Sequence, residues 1–420
     1  MSAPNGARAR LIAWTAHRAV RFLTAAHGLL LRVPRRRAKV PPADEGFRIL
    51  LTGMFHSEAW VKAHLAPLAA SRDCGRIVVV ANDAVPAIEK VEHVAPSPLL
   101  VRAVGRTPAR LVTFGWLAFR RRPHVVGGFH LLINGLVAVA FARLAGARSM
   151  FFCVGGTAEV DEGGLHGENR LFGLMPGPDP VVERRLLRAV DAADLVITMG
   201  TGAKRSFRER GVGASIHVIG GGMDPARFQP APPGAEPEFD LVFVGRLAPI
   251  KRVDLFLDAV ALVAARRPGT KAAVVGDGPL RAELEERASL PDLRTRVAFL
   301  GRQQDVGACL RRSRVFVLTS ESEGLPLSAV EAMMCGLPVV APAVGDLPDL
   351  VEEGVTGHLV TGREPEAFAL AMLALLQDEE RLRSASLAAR RIAGRYTIAE
   401  ASRRWDTLLA ETRAAGDVWP

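Results

Sequence analysis

Residues 320–331 read SESEGLPLSAVE and join a predicted strand to a predicted helix. The strand is predicted at residues 314–318 (RVFVL), because short apolar runs rich in β-branched residues form buried parallel strands. The helix follows at once, since Pro326 suits a first helical turn, where its missing N–H costs nothing. Glu323 is therefore predicted on the loop and Glu331 inside the helix. Such a loop lies at the carboxyl ends of parallel strands, where α/β proteins bind ligands.

Glu323 and Glu331 are eight residues apart, and two such carboxylates on a protein surface are usually just solvated. Here the pair flanks Gly-Leu-Pro, a helix start and a buried strand, a combination that argues against a merely solvated pair. The pattern resembles the E-x7-E signature of the retaining glycosyltransferases of family 4, the group of glycogen and mannosyl transferases. The resemblance extends over about residues 47–406 and is densest at 243–360.

This resemblance implies an α/β chain of the GT-B fold, in which two Rossmann-like, doubly wound parallel-sheet domains face a cleft. It implies that Glu323 orients the donor by accepting hydrogen bonds from sugar hydroxyls, and that Glu331 accepts from the ribose hydroxyls. The amides at the helix start would meet the anionic part of the donor, as helix N-termini do. The donor-binding residues of this segment are then Gly324, Leu325, Pro326 and Leu327.

A second segment, GRLAPIKR at 245–252, resembles the G-R-x4-K-G loop of the same family, with Arg252 where relatives have glycine. Arg246 offers a planar fork of donors and Lys251 a mobile point charge. We expect both side chains to converge on the diphosphate of a nucleotide sugar and to act in catalysis beside Glu323.

Further donor-binding residues follow predicted strands. Gly276 opens a GDGP segment that is also a feature of the family, and Arg302 stands where the nucleotide base rests in relatives. In the amino-terminal half, Gly53 ends the first predicted strand and would let a diphosphate approach the backbone. Relatives often have two adjacent glycines there, and this chain has one.

The acceptor side departs from the family pattern. Many relatives have a histidine before the glycine of a turn that corresponds to 154–155, and this chain has Val154 there. His130, which follows another predicted strand, is the candidate acceptor-side residue, with His166 as an alternative. A single histidine is more often structural, so both interpretations stay open for each.

The length predicts two domains of roughly 200 residues each. A segment with four prolines, 229–238, is predicted as the linker between an acceptor-side domain at 47–228 and a nucleotide-sugar-binding domain at 239–395. The resemblance implies that a last helix, within 396–420, crosses back to the first domain.

The charge is concentrated at the amino terminus. Residues 1–46 hold nine Arg and Lys against two Asp and Glu, which is +7 of the formal +10. We predict a basic amphipathic leader that lies on an anionic membrane; a disordered basic leader is the alternative.

Residues 97–124 hold six arginines, no acidic residue and several aromatics. Arg102, Arg106 and Arg110 are spaced to share one helical face, although Pro108 should break or kink that helix. This resembles the membrane-docking elements of family members, and a solvated basic face is equally open.

The composition narrows the partners and the location. Four cysteines without zinc-like spacing predict reduced thiols in a cytoplasmic protein. The basic leader adds the expectation that the protein is peripheral on the inner membrane face. No nucleic-acid-binding motif accompanies the basic residues, so no nucleic-acid partner is expected.

Two aspartates separated by one residue hold the metal in many glycosyltransferases, and this sequence has none. We therefore expect no metal and no other cofactor. The function predicted is a retaining, metal-independent transfer from a nucleotide-sugar donor to a polysaccharide or lipid-linked acceptor. The alternatives are a catalytically weak nucleotide-sugar-binding subunit and a GT-B nucleotide-sugar epimerase or hydrolase.

Overall fold

The computed structural model describes residues 7–55, 57–164 and 177–416, which form two compact units. The first unit extends to Gly222 and resumes at Ile398, and the second contains Met223–Thr397. The boundary thus lies a few residues before the proline-rich segment predicted as the linker, and residues 229–238 form neither helix nor strand.

The first unit is built on a seven-stranded parallel sheet in the order 3-2-1-4-5-6-7. Its strands are β1 Phe47–Thr52, β2 Cys74–Val80, β3 Val91–Val94, β4 Val125–Phe129, β5 Arg148–Cys153, β6 Leu195–Thr198 and β7 Ser215–Val218. Its helices are α1 Ala7–Leu30, α2 Glu58–Ala70, α3 Pro98–Val104, α4 Arg106–Arg120, α5 Leu136–Ala145, α6 Pro180–Asp191 and α7 Thr201–Glu209. The strand order reverses between β1 and β4, which is the switch point of a doubly wound sheet.

The second unit has a six-stranded parallel sheet in the order 10-9-8-11-12-13. Its strands are β8 Phe239–Val244, β9 Ala272–Val275, β10 Val297–Gly301, β11 Ser313–Val317, β12 Val339–Pro342 and β13 Gly357–Val360. Its helices are α8 Val253–Arg266, α9 Arg281–Ala288, α10 Val306–Arg311, α11 Leu327–Met334, α12 Pro365–Leu376 and α13 Glu379–Ala393. The prediction of two parallel-sheet α/β domains is confirmed.

The last helix, α14 (Ile398–Ala414), packs on α2 of the first unit. Trp405 is buried there, with its ring centroid 5.8 Å from that of Phe152. Asp406 accepts hydrogen bonds from the hydroxyl of Ser71 at 2.7 Å and the backbone N–H of Arg72 at 2.8 Å. The carboxyl-terminal segment is thus an integral part of the first unit.

The segment predicted as a separate basic leader is, over its described part, also integral to the first unit. The helix α1 packs on α5 and α6, and Asp179 at the start of α6 accepts hydrogen bonds from His17 and Arg21 of α1. Within residues 13–30 of α1, where side-chain burial is described, the buried side chains recur every three or four residues and are Ala13, Ala16, Val20, Thr24 and His27. This stripe of small and polar residues buries one face of the helix, so α1 is not an appendage.

The prediction that Arg102, Arg106 and Arg110 share one helical face is wrong. Gly105, with φ +87°, separates α3 from α4, and Pro108 lies in the first turn of α4, where proline is tolerated. Arg110 turns inward and is only 1% exposed. No helix in the described ranges is both long and apolar enough to cross a bilayer.

Candidate functional site

The loop and helix at 320–331 place both glutamates out of solvent. The helix α11 begins at Leu327, with Pro326 as the residue before it rather than in its first turn. Glu331 lies inside α11 and is 8% exposed, and Glu323 on the loop is 9% exposed. A solvated surface pair is therefore excluded, and each carboxyl group is expected to have either a specific partner or a raised pKa.

Glu323 is paired with Lys251. The ammonium nitrogen of Lys251 lies 2.7 and 2.8 Å from the two carboxylate oxygens of Glu323, and the hydroxyl of Ser320 donates to one of them at 2.5 Å. Two segments that the sequence analysis singled out separately thus meet in one ion pair. Since both side chains are largely buried, bulk water screens this pair much less than a surface pair.

Backbone contacts fix the two loops against each other. The N–H of Glu321 donates to the carbonyl of Ile250 at 2.8 Å, and the hydroxyl of Thr319 donates to the carbonyl of Arg252 at 2.7 Å. From a third loop, the guanidinium of Arg363 donates to the carbonyl of Ser320 at 2.8 Å. The carboxylate of Glu323 is therefore held on a rigid backbone.

Gly345, in the loop after β12, completes this support. Its φ is +57°, and a Cβ atom there would lie 1.8 Å from the carbonyl oxygen of Glu323. The next residue, Asp346, donates its N–H to the carbonyl of Gly324 at 3.2 Å. Three supporting residues, Ser320, Gly345 and Arg363, are not among those predicted from the sequence; the signal for Gly345 is a Gly-Asp pair in the loop after a buried strand.

The GDGP segment interlocks with the loop that carries Arg246. Gly276 has φ +139°, and a Cβ atom there would lie 1.9 Å from the carbonyl oxygen of Gly245. The N–H of Leu247 in turn donates to the carbonyl of Asp277 at 3.0 Å. Glycine at 276 is thus explained by close backbone approach, and its predicted contact with a donor stays a prediction.

The second sheet gathers most of the predicted residues along one edge. Arg246 follows β8, Gly276 follows β9, Arg302 follows β10 and Glu323 follows β11, and all these strands run parallel. Arg246 and Arg302 are exposed, whereas Lys251 is partly buried beside Glu323. This edge therefore combines exposed guanidinium groups with a buried carboxylate.

Burial raises the pKa of Glu331 from 4.5 to about 7, with Arg227 opposing part of that shift. The carboxyl group of Glu331 thus changes charge near neutral pH. In the ionised form both oxygens only accept hydrogen bonds, whereas the protonated form also donates one.

The shifted pKa of Glu331 predicts a pH-dependent stability. Because the folded-state pKa lies above the unfolded value, the stabilisation is fully present below about pH 4.5 and is lost as the pH rises through 7. We expect the wild type to lose about 2–3 kcal/mol relative to Glu331→Gln between pH 5 and 8. Urea unfolding of both proteins at four pH values measures this difference, and parallel curves would contradict the shift.

The remaining predicted residues lie in the first unit. Gly53 follows β1, and a Cβ atom there would lie 3.0 Å from the Cβ of Phe129. His130 follows β4, and its Nδ1 is 3.2 Å from a carboxylate oxygen of Glu159, a residue that the sequence analysis missed. His166 lies outside the described residues. In the ranges that the structure describes, no three His, Cys, Asp or Glu side chains cluster as metal ligands.

The match to a known protein family lies within the second unit. Residues 238–378 match the family described as "Glycosyl transferases group 1". The match includes Lys251, Glu323 and Glu331. Over 245 residues the chain is 34% identical to a D-inositol 3-phosphate glycosyltransferase 2 of Catenulispora acidiphila. The aligned segment covers 51% of this chain and 56% of the relative. A D-inositol 3-phosphate glycosyltransferase of Mycobacterium marinum is 35% identical over 248 residues, which cover 55% of this chain and 52% of that relative. The chain thus spans about half the length of the curated relatives it matches.

Solved structures extend the likeness to most of the chain. Anabaena Alr3699/HepE in complex with UDP-glucose aligns with a TM-score of 0.66 and 22% identity, over 88% of this chain and 100% of that one. A sucrose-phosphate synthase of Thermosynechococcus elongatus aligns with a TM-score of 0.69 and 18% identity, with the same coverage. At such identities the likeness establishes the fold alone. Together with the two parallel sheets, it identifies a GT-B fold.

Proposed function

We propose that the protein is a retaining glycosyltransferase that takes its sugar from a uridine diphosphate sugar. The observation that carries this proposal is the buried contact of Lys251 with Glu323, which joins two loops of the matched family range. The relatives are named as glycosyltransferases, and HepE was crystallised with UDP and with UDP-glucose. The pairing of a cation with an acceptor-only group at one sheet edge suits a donor that carries both phosphates and hydroxyls.

The proposed reaction needs positive charge beside the departing phosphate and hydrogen-bond acceptors beside the sugar and the ribose. As the bond from the sugar to the diphosphate breaks, negative charge grows on the departing phosphate, where Arg246, Lys251 and the amides near the start of α11 would stabilise it. Glu323 would orient the sugar through its hydroxyls, and Glu331 the ribose. The bond to the acceptor oxygen forms on the same face of the sugar, and the acceptor's proton leaves on the diphosphate.

This assignment predicts transfer that requires no metal. With the purified protein, release of UDP from UDP-sugars in the presence of acceptor should continue at an unchanged rate in excess EDTA, because fixed cations replace the metal. Release measured with and without acceptor separates transfer from hydrolysis. The acceptor panel pairs polyprenyl-linked saccharides and polysaccharides with D-inositol 3-phosphate, for which the relatives are named. Loss of activity in EDTA and its return with manganese would overturn metal independence; UDP binding without turnover would favour a binding subunit.

We further propose that the acceptor is presented at the cytoplasmic face of an anionic membrane. Two helices that both pack on α5 carry exposed large apolar side chains among exposed arginines. The exposed aromatic side chains among them are Trp14 (51%) and Phe22 (72%) on α1, and Trp116 (59%) and Phe119 (48%) on α4. The guanidinium of Arg18 lies 4.3 Å from the ring centre of Trp14. Aromatic side chains interleaved with basic ones suit an interface with anionic headgroups.

Sedimentation with vesicles tests the membrane proposal. The wild type should bind vesicles that contain phosphatidylglycerol, bind neutral vesicles weakly, and lose binding as salt is raised. Trp116→Ala with Phe119→Ala should reduce binding at least about fivefold. Leu370→Ala, which removes an equally exposed apolar side chain from α12 of the second unit, is the matched control. Equal binding by the double variant and the control would remove this surface from the proposal.

A further inference from the structure

Two contacts of different kinds hold the carboxylate of Glu323. The ammonium nitrogen of Lys251 lies 2.7 and 2.8 Å from its two oxygens, and the hydroxyl of Ser320 donates to Oε1 at 2.5 Å. Among the residues that the structure describes, these two side chains are the partners of this carboxylate. The first contact is an ion pair and the second is a hydrogen bond from a neutral group, so an incoming anion affects them differently.

The ammonium group of Lys251 can be drawn to another anion. The backbone of Lys251 is fixed, because its N–H donates to the carbonyl of Ala248 at 2.9 Å, but the ammonium is carried by a flexible four-carbon stem. The side chain of Lys251 is also more exposed than that of Glu323. A diphosphate carries more negative charge than one carboxylate, and it therefore competes with Glu323 for this cation.

The hydroxyl of Ser320 has no such freedom. Ser320 is 0% exposed, and its short side chain gives the hydroxyl only a few staggered positions. Its carbonyl accepts from the guanidinium of Arg363 at 2.8 Å, and the next N–H, that of Glu321, donates to the carbonyl of Ile250 at 2.8 Å. Ser320 is therefore a fixed donor, whereas Lys251 is a mobile one.

The loss of its cation would leave Glu323 as a buried carboxylate without a counter-charge. Such a group is costly unless hydrogen bonds compensate it. The hydrogen bond from Ser320 keeps Oε1 in place, and Oε2 becomes free to accept from a hydroxyl of the sugar. A hydrogen bond to a charged acceptor is roughly twice as strong as one between neutral groups, and the contact with Ser320 is therefore strong enough to orient the carboxylate.

We infer that Ser320 is a positioning residue that holds the carboxylate of Glu323 in place when the diphosphate of the donor draws Lys251 away. This inference rests on the proposed function. The full contact between Lys251 and Glu323 then belongs to the donor-free state. In the donor complex Oε1 of Glu323 stays bonded to Ser320, and Oε2 accepts from the sugar.

A crystal structure of the wild type with UDP tests the exchange of partners. We expect the ammonium of Lys251 within hydrogen-bond distance of a phosphate oxygen and no longer bonded to both oxygens of Glu323. The hydroxyl of Ser320 should still donate to Oε1. An ammonium that keeps both carboxylate contacts while UDP is bound, or a carboxylate that has left Ser320, would overturn the inference.

Ser320→Ala tests the role in transfer. We expect kcat for transfer to fall at least about tenfold, because a hydrogen bond to a charged group is lost. The affinity for UDP, which has no sugar, should stay within about twofold of wild type. Ser313→Ala is the matched control, since the hydroxyl of Ser313 at the start of β11 is also buried and donates to the carbonyl of Cys309 at 3.0 Å. Its kcat should stay within about twofold of wild type.

The double variant of Ser320→Ala with Glu323→Gln distinguishes positioning from packing. If Ser320 acts through the carboxylate, adding Ser320→Ala to Glu323→Gln should change the residual transfer rate less than about twofold, because the two effects are coupled. Single-turnover reactions with the protein in excess measure such low rates. A further tenfold loss would mean that Ser320 acts independently of Glu323, which contradicts the inference.

The outcomes also separate this inference from the proposed function. Transfer by Ser320→Ala at the wild-type rate would overturn the role of Ser320 and leave the glycosyltransferase assignment intact. Absence of both UDP binding and transfer in the wild type would overturn the assignment, and the inference with it.

Discussion

Replacing Glu323 by glutamine should lower sugar transfer at least about a hundredfold, roughly 3 kcal/mol in the activation barrier. Glutamine has nearly the same shape and can still accept from the hydroxyl of Ser320, so the fold should be retained. It cannot neutralise Lys251, and it presents an N–H where the carboxylate presents an acceptor. The loss should therefore appear in kcat for transfer measured on folded protein, although the unfolding midpoint should fall somewhat because Lys251 is left partly buried without its anion.

The control for this variant is Glu321→Gln, two residues earlier on the same loop. The carboxylate of Glu321 is half exposed and contacts Arg252 at 3.4 Å on the outer side of the loop. We expect its transfer rate to stay within about twofold of wild type, because an exposed ion pair contributes little. In Glu323→Gln, UDP should bind at least as tightly as in wild type, since Lys251 is released from its buried partner. A tenfold loss or less in kcat would argue against the role assigned to Glu323.

Removing both cations near the diphosphate should abolish nucleotide binding. In Arg246→Ala with Lys251→Ala, we expect UDP affinity to fall at least about a hundredfold, because hydrogen bonds to charged groups contribute about 1.5–3 kcal/mol each. Calorimetry with UDP, GDP and ADP measures this loss and also identifies the base that the wild type prefers. Arg252→Ala is the matched control, since Arg252 is adjacent in sequence and pairs with Asp254.

Lost stability in the Lys251→Ala variants can be separated from lost UDP binding by one further substitution. Lys251→Ala leaves the carboxylate of Glu323 buried without its cation, so part of any effect would reflect lost stability. Adding Glu323→Gln removes that charge and should restore the unfolding midpoint without restoring UDP affinity. If the control and the double variant bind UDP equally, the diphosphate does not lie at these residues. If the wild type binds none of the three nucleotides, the proposed donor site is not functional.

Whether a feature of the fold or the site can be predicted from the sequence depends on how far apart in sequence the interacting residues lie. β11 was predicted within one residue at each end, because the pattern of a buried parallel strand is local. The contact between Lys251 and Glu323 was accessible only through the family resemblance, since it joins loops after different strands. Glu159 has no local signature, and the only local signal for Gly345 is the Gly-Asp pair at 345–346. Their partners include residues on the loops that follow neighbouring strands, and which loops meet is decided by long-range pairing across a sheet.

Two features that the sequence pattern does not predict, the packing of α1 and the burial of Arg110, have the same physical origin. The inner face of α1 consists of alanines with one valine, a threonine and a histidine, so its hydrophobic periodicity is weak although its packing is tight. The spacing of Arg102, Arg106 and Arg110 predicts a shared basic face, whereas Arg110 is buried, which is rare for arginine. Its two neutral hydrogen-bond partners come from segments far away in sequence. In both cases contacts with residues distant in sequence determine whether the side chain is buried.

The docking of α14 on the first unit has a consequence for biosynthesis. The second unit is inserted within the first, so the ribosome makes all of residues 223–397 before the helix that carries Trp405 emerges. At typical rates of about 5–20 residues per second, the first unit waits roughly ten to thirty-five seconds for its last helix. During that time the surface of α2 that Trp405 and its neighbours will cover is open to water. The nascent chain thus holds an incomplete hydrophobic core while its carboxyl-terminal partner is still being translated, and this is the interval in which chaperones would have most to protect.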